Sequence, residues 1–129
     1  MKVSIIVPVY NSSPMLSELA QRIEATMSNM NLNNDYELLL INDASKDDSW
    51  ETIVKLIKKF SFIKGINLSE NFGQHNAIMA GLNNCRGDYI ITIDDYLQHP
   101  PEFFPDILNV LKTNYVCYTN YKKIGRAHV

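Results

Sequence analysis

The chain has 129 residues, 46% of them hydrophobic, and a net charge of −2 from 12 basic and 14 acidic side chains. That size and apolar content suit one globular domain with one core. The charges are mixed along the chain, which excludes an electrostatic footprint for nucleic acid or an anionic membrane surface.

Met1 runs directly into an apolar stretch that Pro8 interrupts, too short for a signal segment or a spanning helix, so nothing in these residues is expected to cross a membrane. Val3 to Val9 is a continuous apolar run of the kind found in a doubly covered parallel strand. A helix follows, with Ser13 as its cap, Pro14 in its first turn, and Leu16, Leu19, Ala20, Ile23, Met27 and Met30 at helical spacing on a core-facing stripe. Tyr36 to Ile41 reads as a second strand ending at Asn42-Asp43. Asp47 or Asp48 then caps a second helix, whose expected apolar face is Trp50, Ile53, Val54, Ile57 and Phe60 and whose solvent side carries Lys55, Lys58 and Lys59.

A third strand fits Phe62 to Leu68, a short helix His75 to Asn84, a fourth strand Asp88 to Asp94 after an Arg86-Gly87 turn, and a further helix the stretch after Pro100-Pro101. Cys85 and Cys117 lack metal-ligand spacing and are expected to be buried, reduced thiols, from which a cytoplasmic setting is expected. Strands alternating with helices at this spacing predict right-handed crossovers and a mainly parallel sheet with helices on both faces, a Rossmann-like α/β architecture. Repeats, low-complexity segments and linkers are absent from the sequence.

Ligands of such sheets bind at the carboxyl ends of the strands, where connections diverge. Those ends carry Pro8-Val9-Tyr10-Asn11, Asn42-Asp43-Ala44-Ser45, Asn71-Phe72-Gly73 and Asp94-Asp95-Tyr96-Leu97-Gln98, so polar groups from four segments are expected on one rim. The turn after the first strand, Tyr10 to Pro14, has no glycine, which disfavours a dinucleotide site, and no Gly-Lys-Ser/Thr turn forms a P-loop. Phosphates would then need a divalent cation held by a few carboxylates. The adjacent pair Asp94-Asp95 at a strand end repels itself unless a cation or donors are present, and is the strongest chemical signal in the chain. By contrast, Asp47 and Asp48 suit helix caps, Asn71-Phe72-Gly73 taken alone is an ordinary turn, and His75 reads as a helix-start or surface histidine.

Four ordered segments carry a resemblance: Ser4-Ile5-Ile6-Val7-Pro8-Val9-Tyr10-Asn11, Ile41 to Ser49, Leu68 to Gly81 with its Asn-Phe-Gly-Gln-His core, and Ile93 to Glu102. Together they resemble family 2 glycosyltransferases of GT-A fold. The Asn-Phe-Gly-Gln-His and Leu-Gln-His-Pro-Pro-Glu stretches are similar to those of the polyprenyl-phosphate glycosyltransferases, which include dolichyl-phosphate mannose synthases and undecaprenyl-phosphate formamido-aminoarabinose transferases.

The resemblance implies that residues 1–123 are the nucleotide-sugar-binding half of such a fold. Pro8, Tyr10 and Asn11 would belong to the donor site, Asp43 would accept a hydrogen bond from the base, and Asp94 and Asp95 would attend the donor. The family's Asp-x-Asp-x-Gln triplet falls on Asp94, Tyr96 and Gln98, which implies a Mg or Mn ion held by Asp94 and Gln98. Here the sequence departs from the pattern, because Tyr96 stands at the second Asp position and a neutral phenol is a poor ligand for a hard cation. Asp95 could replace it only if the chain turns sharply, since adjacent strand residues point to opposite faces. Ser12 also stands where many relatives have Glu.

The implied activity is inverting transfer of a sugar from a UDP- or GDP-linked donor to a polyprenyl phosphate, with any catalytic base beyond residue 129 and membrane contact only through a C-terminal part. The alternatives are a sugar-to-sugar transferase of polysaccharide assembly and an inactive nucleotide-binding module created by Tyr96. Ile124-Gly125-Arg126-Ala127-His128-Val129 can be back-translated into a sequencing-library adapter, so residues 124–129 are expected to be non-native.

Overall fold

Seven consecutive buried residues form β1 (Val3–Val9), and seven more form β2 (Tyr36–Asn42), as the unbroken apolar runs require of strands covered on both faces. The structure is a computed structural model describing residues 2–94, 100–114, 121–123 and 126–128. β1 pairs in parallel with β2 on one side and with β4 (Tyr89–Thr92) on the other, and β2 pairs with β3 (Ile63–Asn67), giving the order β3-β2-β1-β4. β3 and β4 are therefore the two edges of this sheet. A separate antiparallel pair joins β5 (Tyr121–Lys123) to β6 (Arg126–His128).

The register places Ile5 opposite Leu38 and Ile91, and Ile6 opposite Leu39 and Thr92. Alternate residues then feed two cores of unequal size. The larger joins Val3, Ile5, Val7 and Val9 to α1 (Ser13–Asn29), α2 (Ser49–Lys59) and α4 (Phe104–Leu111). The smaller has Ile6, Leu39, Ile41 and Ala77 as its buried members, under α3 (Gln74–Asn84). Leu16, Leu19, Ile23 and Met27 of α1 are each 0% exposed. Each stabilises by about 1.5–3 kcal/mol relative to exposure, an upper bound because the unfolded chain already buries part of that surface.

The predicted elements appear in the predicted order, with three shifts. First, Ser12 rather than Ser13 occupies the cap position of α1, and its hydroxyl donates back to the Tyr10 carbonyl (2.9 Å) instead of capping the helix. Second, the buried stripe of α2 is Ile53, Leu56 and Phe60, spaced three and four residues apart, with Trp50 packed beside it. Val54 is only half-buried and Ile57 is 37% exposed, because α2 rests on the sheet along a face rotated from the one expected. Third, β3 and β4 are shorter than Phe62 to Leu68 and Asp88 to Asp94, though Ile93 N–H still donates to Ile6 O (3.1 Å). Cys85 is free but only half-buried, its thiol donating to Leu82 O, and Cys117 lies outside the described residues.

Past β4, Pro101–Phe103 forms a 3-10 turn that leads into α4. Pro101 and Phe104 are buried, and Glu102 pairs with Arg22 of α1. The chain is thus anchored again immediately after positions 95–99.

Candidate functional site

α1 and α2 connect the strands on one face of the sheet, while α3 returns over the other face from β3 to β4. The connections therefore diverge at the carboxyl ends of β1 and β4, the place where sheets of this kind hold ligands. A concavity of about 350 Å³ opens there. Pro8, Val9 and Tyr10 line it from the end of β1, Asp43 from the end of β2 and Asp94 from beyond β4. Asn71, Gly73 and Gln74, leading into α3, close the remaining side.

Asp43 is 4% exposed. Its backbone N–H donates to Val9 O (2.9 Å) and its Oδ1 accepts from Phe72 N–H (3.0 Å). Among the described residues Oδ2 has no hydrogen-bond partner, although a buried carboxylate oxygen normally has one. The next residue, Ala44, has φ 55°, a left-handed conformation that disfavours any side chain bearing a Cβ. The turn Asn71-Phe72-Gly73 is thus more than the plain turn read from sequence, since its backbone fixes Asp43 and its neighbours face the cavity. Gln74 carried no signal of its own outside the Asn-Phe-Gly-Gln-His segment.

Asn11 does not line the concavity. Its own φ is 52°, and its Oδ1 accepts from Lys46 N–H (2.7 Å) and Asp47 N–H (3.4 Å), while its N–H donates to Ser45 Oγ (3.0 Å). Asp47 joins the same loop to both helix starts: Oδ2 accepts from Ser13 N–H (3.2 Å), and Oδ1 accepts from Ser49 N–H (2.9 Å) and Ser49 Oγ–H (2.5 Å). Burial pushes the Asp47 carboxyl up, but these donors outweigh it and hold the group below the ordinary carboxylate range. Asp48 occupies the α2 cap position without capping through its side chain. One expected cap, Asp47, therefore serves two helices.

Gly73 begins α3 at φ 95° and ψ 162°, a conformation essentially restricted to glycine. α3 has no side-chain cap and no acidic residue in its first turn, so the partial positive charge at that end is not neutralised locally. Asp94 is half-buried at the opposite side of the concavity. Asp95, Tyr96 and Gln98, expected beside it, lie outside the described residues. Two carboxylates and no basic side chain line the cavity among the described residues, and those residues hold no group of three or more His, Cys, Asp or Glu able to bind a metal. His75 is exposed.

Sequence reasoning gave no role to Glu37, which lies at the other end of β2 and is 3% exposed. Its Oε2 accepts from Ser4 Oγ–H (2.6 Å) and Arg86 N–H (2.6 Å), and its Oε1 from Lys64 Nζ (2.7 Å). Gly87 N–H donates to Ser4 Oγ (2.7 Å), and a Cβ on Gly87 would come within 2.5 Å of Ser4 N. A second concavity, of about 380 Å³, also lies toward that end and is bordered by Glu24, Asn33, Tyr36 and Phe62. Burial, aided by the Glu24 charge, pushes the Tyr36 hydroxyl up to about 12.

The profile of Glycosyl transferase family 2 matches residues 4–127. An undecaprenyl-phosphate 4-deoxy-4-formamido-L-arabinose transferase of Shewanella sediminis is 45% identical over 114 residues, covering 88% of this chain and 34% of the relative. The protein of the same name from Pseudomonas savastanoi pv. phaseolicola is 41% identical over 114 residues, covering 88% and 33%. The chain thus spans about a third of the length of the curated relatives it matches. Among solved structures, S. aureus TarS 1-349 superposes with a TM-score of 0.69 at 22% identity, covering 89% of this chain and 33% of that one. The mannosyltransferase PcManGT from Pyrobaculum calidifontis, in complex with GDP-Man and Mn2+, superposes with a TM-score of 0.65 at 20% identity, covering 73% and 27%. The parallel sheet with helices on both faces is thus the Rossmann-like part of a GT-A fold.

Proposed function

Because the chain belongs to glycosyl transferase family 2, we propose that it is the donor-binding part of an inverting enzyme that moves a sugar from a UDP- or GDP-linked donor to a polyprenyl phosphate. The observation that carries the reading is Asp43: a carboxylate 4% exposed, at the strand-end concavity, with one oxygen satisfied by Phe72 N–H and the other without a partner among the described residues. Such an oxygen suits an N–H donor, and uracil and guanine each present one on their pairing edge. Pro8 and Tyr10 stand beside Asp43 and offer an apolar and aromatic wall for the base.

The diphosphate would lie between the α3 start and Asp94, where the helix end favours an anion. The lining carries two carboxylates and no basic side chain among the described residues, so a bound diphosphate requires an added cation. The donor set fits a divalent ion to that extent, with Asp94 holding it and Gln98 as a second candidate ligand. Mg or Mn, bound there, would supply charge neutralisation for the departing nucleoside diphosphate. An acceptor phosphate oxygen attacking the sugar C1 is already anionic at neutral pH and needs little help from a general base.

The polyprenyl phosphate reading is supported by the names of relatives 41% and 45% identical to this chain. Such an acceptor would place the reaction at a membrane, on its cytoplasmic face. No helix among the described residues is long and apolar enough to cross one.

Calorimetric titration of the intact polypeptide with UDP and GDP, with and without Mn2+, tests the reading. One nucleotide should bind, Asp43→Ala should weaken it by about 10–100-fold, and Tyr96→Asp should strengthen the dependence on Mn2+. Binding indifferent to Asp43→Ala would remove the site, while metal-independent binding in both Tyr96 forms would remove the cation.

A further inference from the structure

We propose that Asn11 is a positioning residue of the donor pocket, acting through the Asp43 loop rather than touching the nucleotide. The proposal rests on the donor-site reading above and deepens it. Asp43 is followed at once by a left-handed Ala44, so the direction of its side chain depends on what holds the next few residues. Three of those residues are held by Asn11 or by Asn42, the last residue of β2. Ser45 Oγ accepts from Asn11 N–H (3.0 Å), Ser45 N–H donates to Asn42 Oδ1 (3.2 Å), and the N–H groups of Lys46 and Asp47 donate to Asn11 Oδ1 (2.7 and 3.4 Å). Both side-chain partners of Asn11 are backbone N–H donors, so the atom facing them must be the amide oxygen.

Asn11 itself is exposed and absent from the cavity lining. Its φ of 52° is one that Asn and Asp tolerate better than other side chains and that Gly adopts freely. The geometry therefore asks of this position a short side chain with an acceptor oxygen and a backbone that accepts positive φ. Removing the oxygen frees the amides of residues 46 and 47 and lets the loop sample other states. Apparent affinity then falls with the fraction of molecules in which Asp43 is correctly set.

The test uses the intact polypeptide, with UDP and GDP as probes, and reads dissociation constants beside amide exchange at Lys46 and Asp47. Asn11→Gly keeps the backbone conformation and removes only the side chain. It should weaken the bound nucleotide by about 5–20-fold and accelerate exchange at both amides. Asn11→Asp, which retains an acceptor oxygen, should restore both. Ser45→Ala, which removes the acceptor of Asn11 N–H, should act in the same direction more weakly. Wild-type affinity in Asn11→Gly overturns the proposal. So does weakened binding with both amides still protected, because Asn11 would then touch the nucleotide directly. If the wild type binds neither nucleotide, or if Asp43→Ala binds as the wild type does, the donor-site reading itself falls.

Discussion

Glu37 and Asp43 stand at opposite ends of β2 and are buried to nearly the same depth, 3% and 4% exposed. Glu37 accepts from Ser4, Lys64 and the Arg86 backbone, so both of its oxygens are occupied. Among the described residues Asp43 accepts from Phe72 alone, and it faces a concavity. Burial therefore does not distinguish the two carboxylates, whereas completeness of hydrogen bonding does. The saturated group ties the α3 to β4 crossover to the sheet. The half-satisfied group lines the concavity with one oxygen unpaired among the described residues.

The comparison breaks most visibly at Glu37. Glu37→Ala leaves Ser4, Lys64 and the Arg86 N–H without their acceptor and should reduce unfolding free energy by about 3 kcal/mol, read by urea denaturation. Asp43→Ala should leave the urea midpoint near that of the wild type while affecting nucleotide binding. The acid limb sharpens the same contrast. Burial raises the Glu37 carboxyl, but Lys64, Ser4 and the Arg86 N–H outweigh it and hold the group below its ordinary 4.5. A folded value below the unfolded one means that the contribution is complete above about pH 4.5 and is lost as pH falls through the folded value. Stability of the wild type relative to Glu37→Gln should narrow over that window.

A smaller effect is expected at Gly73. An added Cβ meets nothing within 4 Å, so Gly73→Ala carries only the backbone strain of φ 95°, about 1–3 kcal/mol. That strain should appear in stability and, because Gly73 borders the cavity, in nucleotide affinity. The smallest effect belongs to Arg22→Ala. The Arg22–Glu102 pair holds the 3-10 turn to α1, but its side chains are 31% and 54% exposed, so the loss should stay below about 1 kcal/mol and shrink with salt.

The sheet was legible because β1 and β2 are buried on both faces, so their sequences are continuous apolar runs that few other elements mimic. The buried stripe of α2 was less so, because Trp50, Val54, Leu56 and Ile57 are all apolar and only the sheet decides which of them turn inward. Pro8, Tyr10, Asp43 and Asp94 sit together as strand-end residues must in this topology. Glu37 gave no signal, since its partners come from positions 4, 64 and 86, and the cap of α1 was misread because its acceptor, Asp47, is 34 residues away. Contacts of that span have no local pattern. The hydrogen bonds of Asn11 were hidden for the same reason, its partners lying 34 to 36 residues along the chain.

The two cores, one on each face of the sheet, also differ in how their helices are seated. One face is packed by α1, α2 and α4, the other by α3 over a buried cluster of four residues among those described. α3 is seated there by close approach: a Cβ on Gly81 would come within 2.5 Å of the Ile6 side chain, so that position has room for glycine alone. It also carries Gly73 and Gln74 into the concavity. Glycine at position 81 thus seats the helix whose start forms one wall of the concavity, opposite the wall built from the ends of β1 and β2, and a bulkier side chain there would shift that wall as a unit.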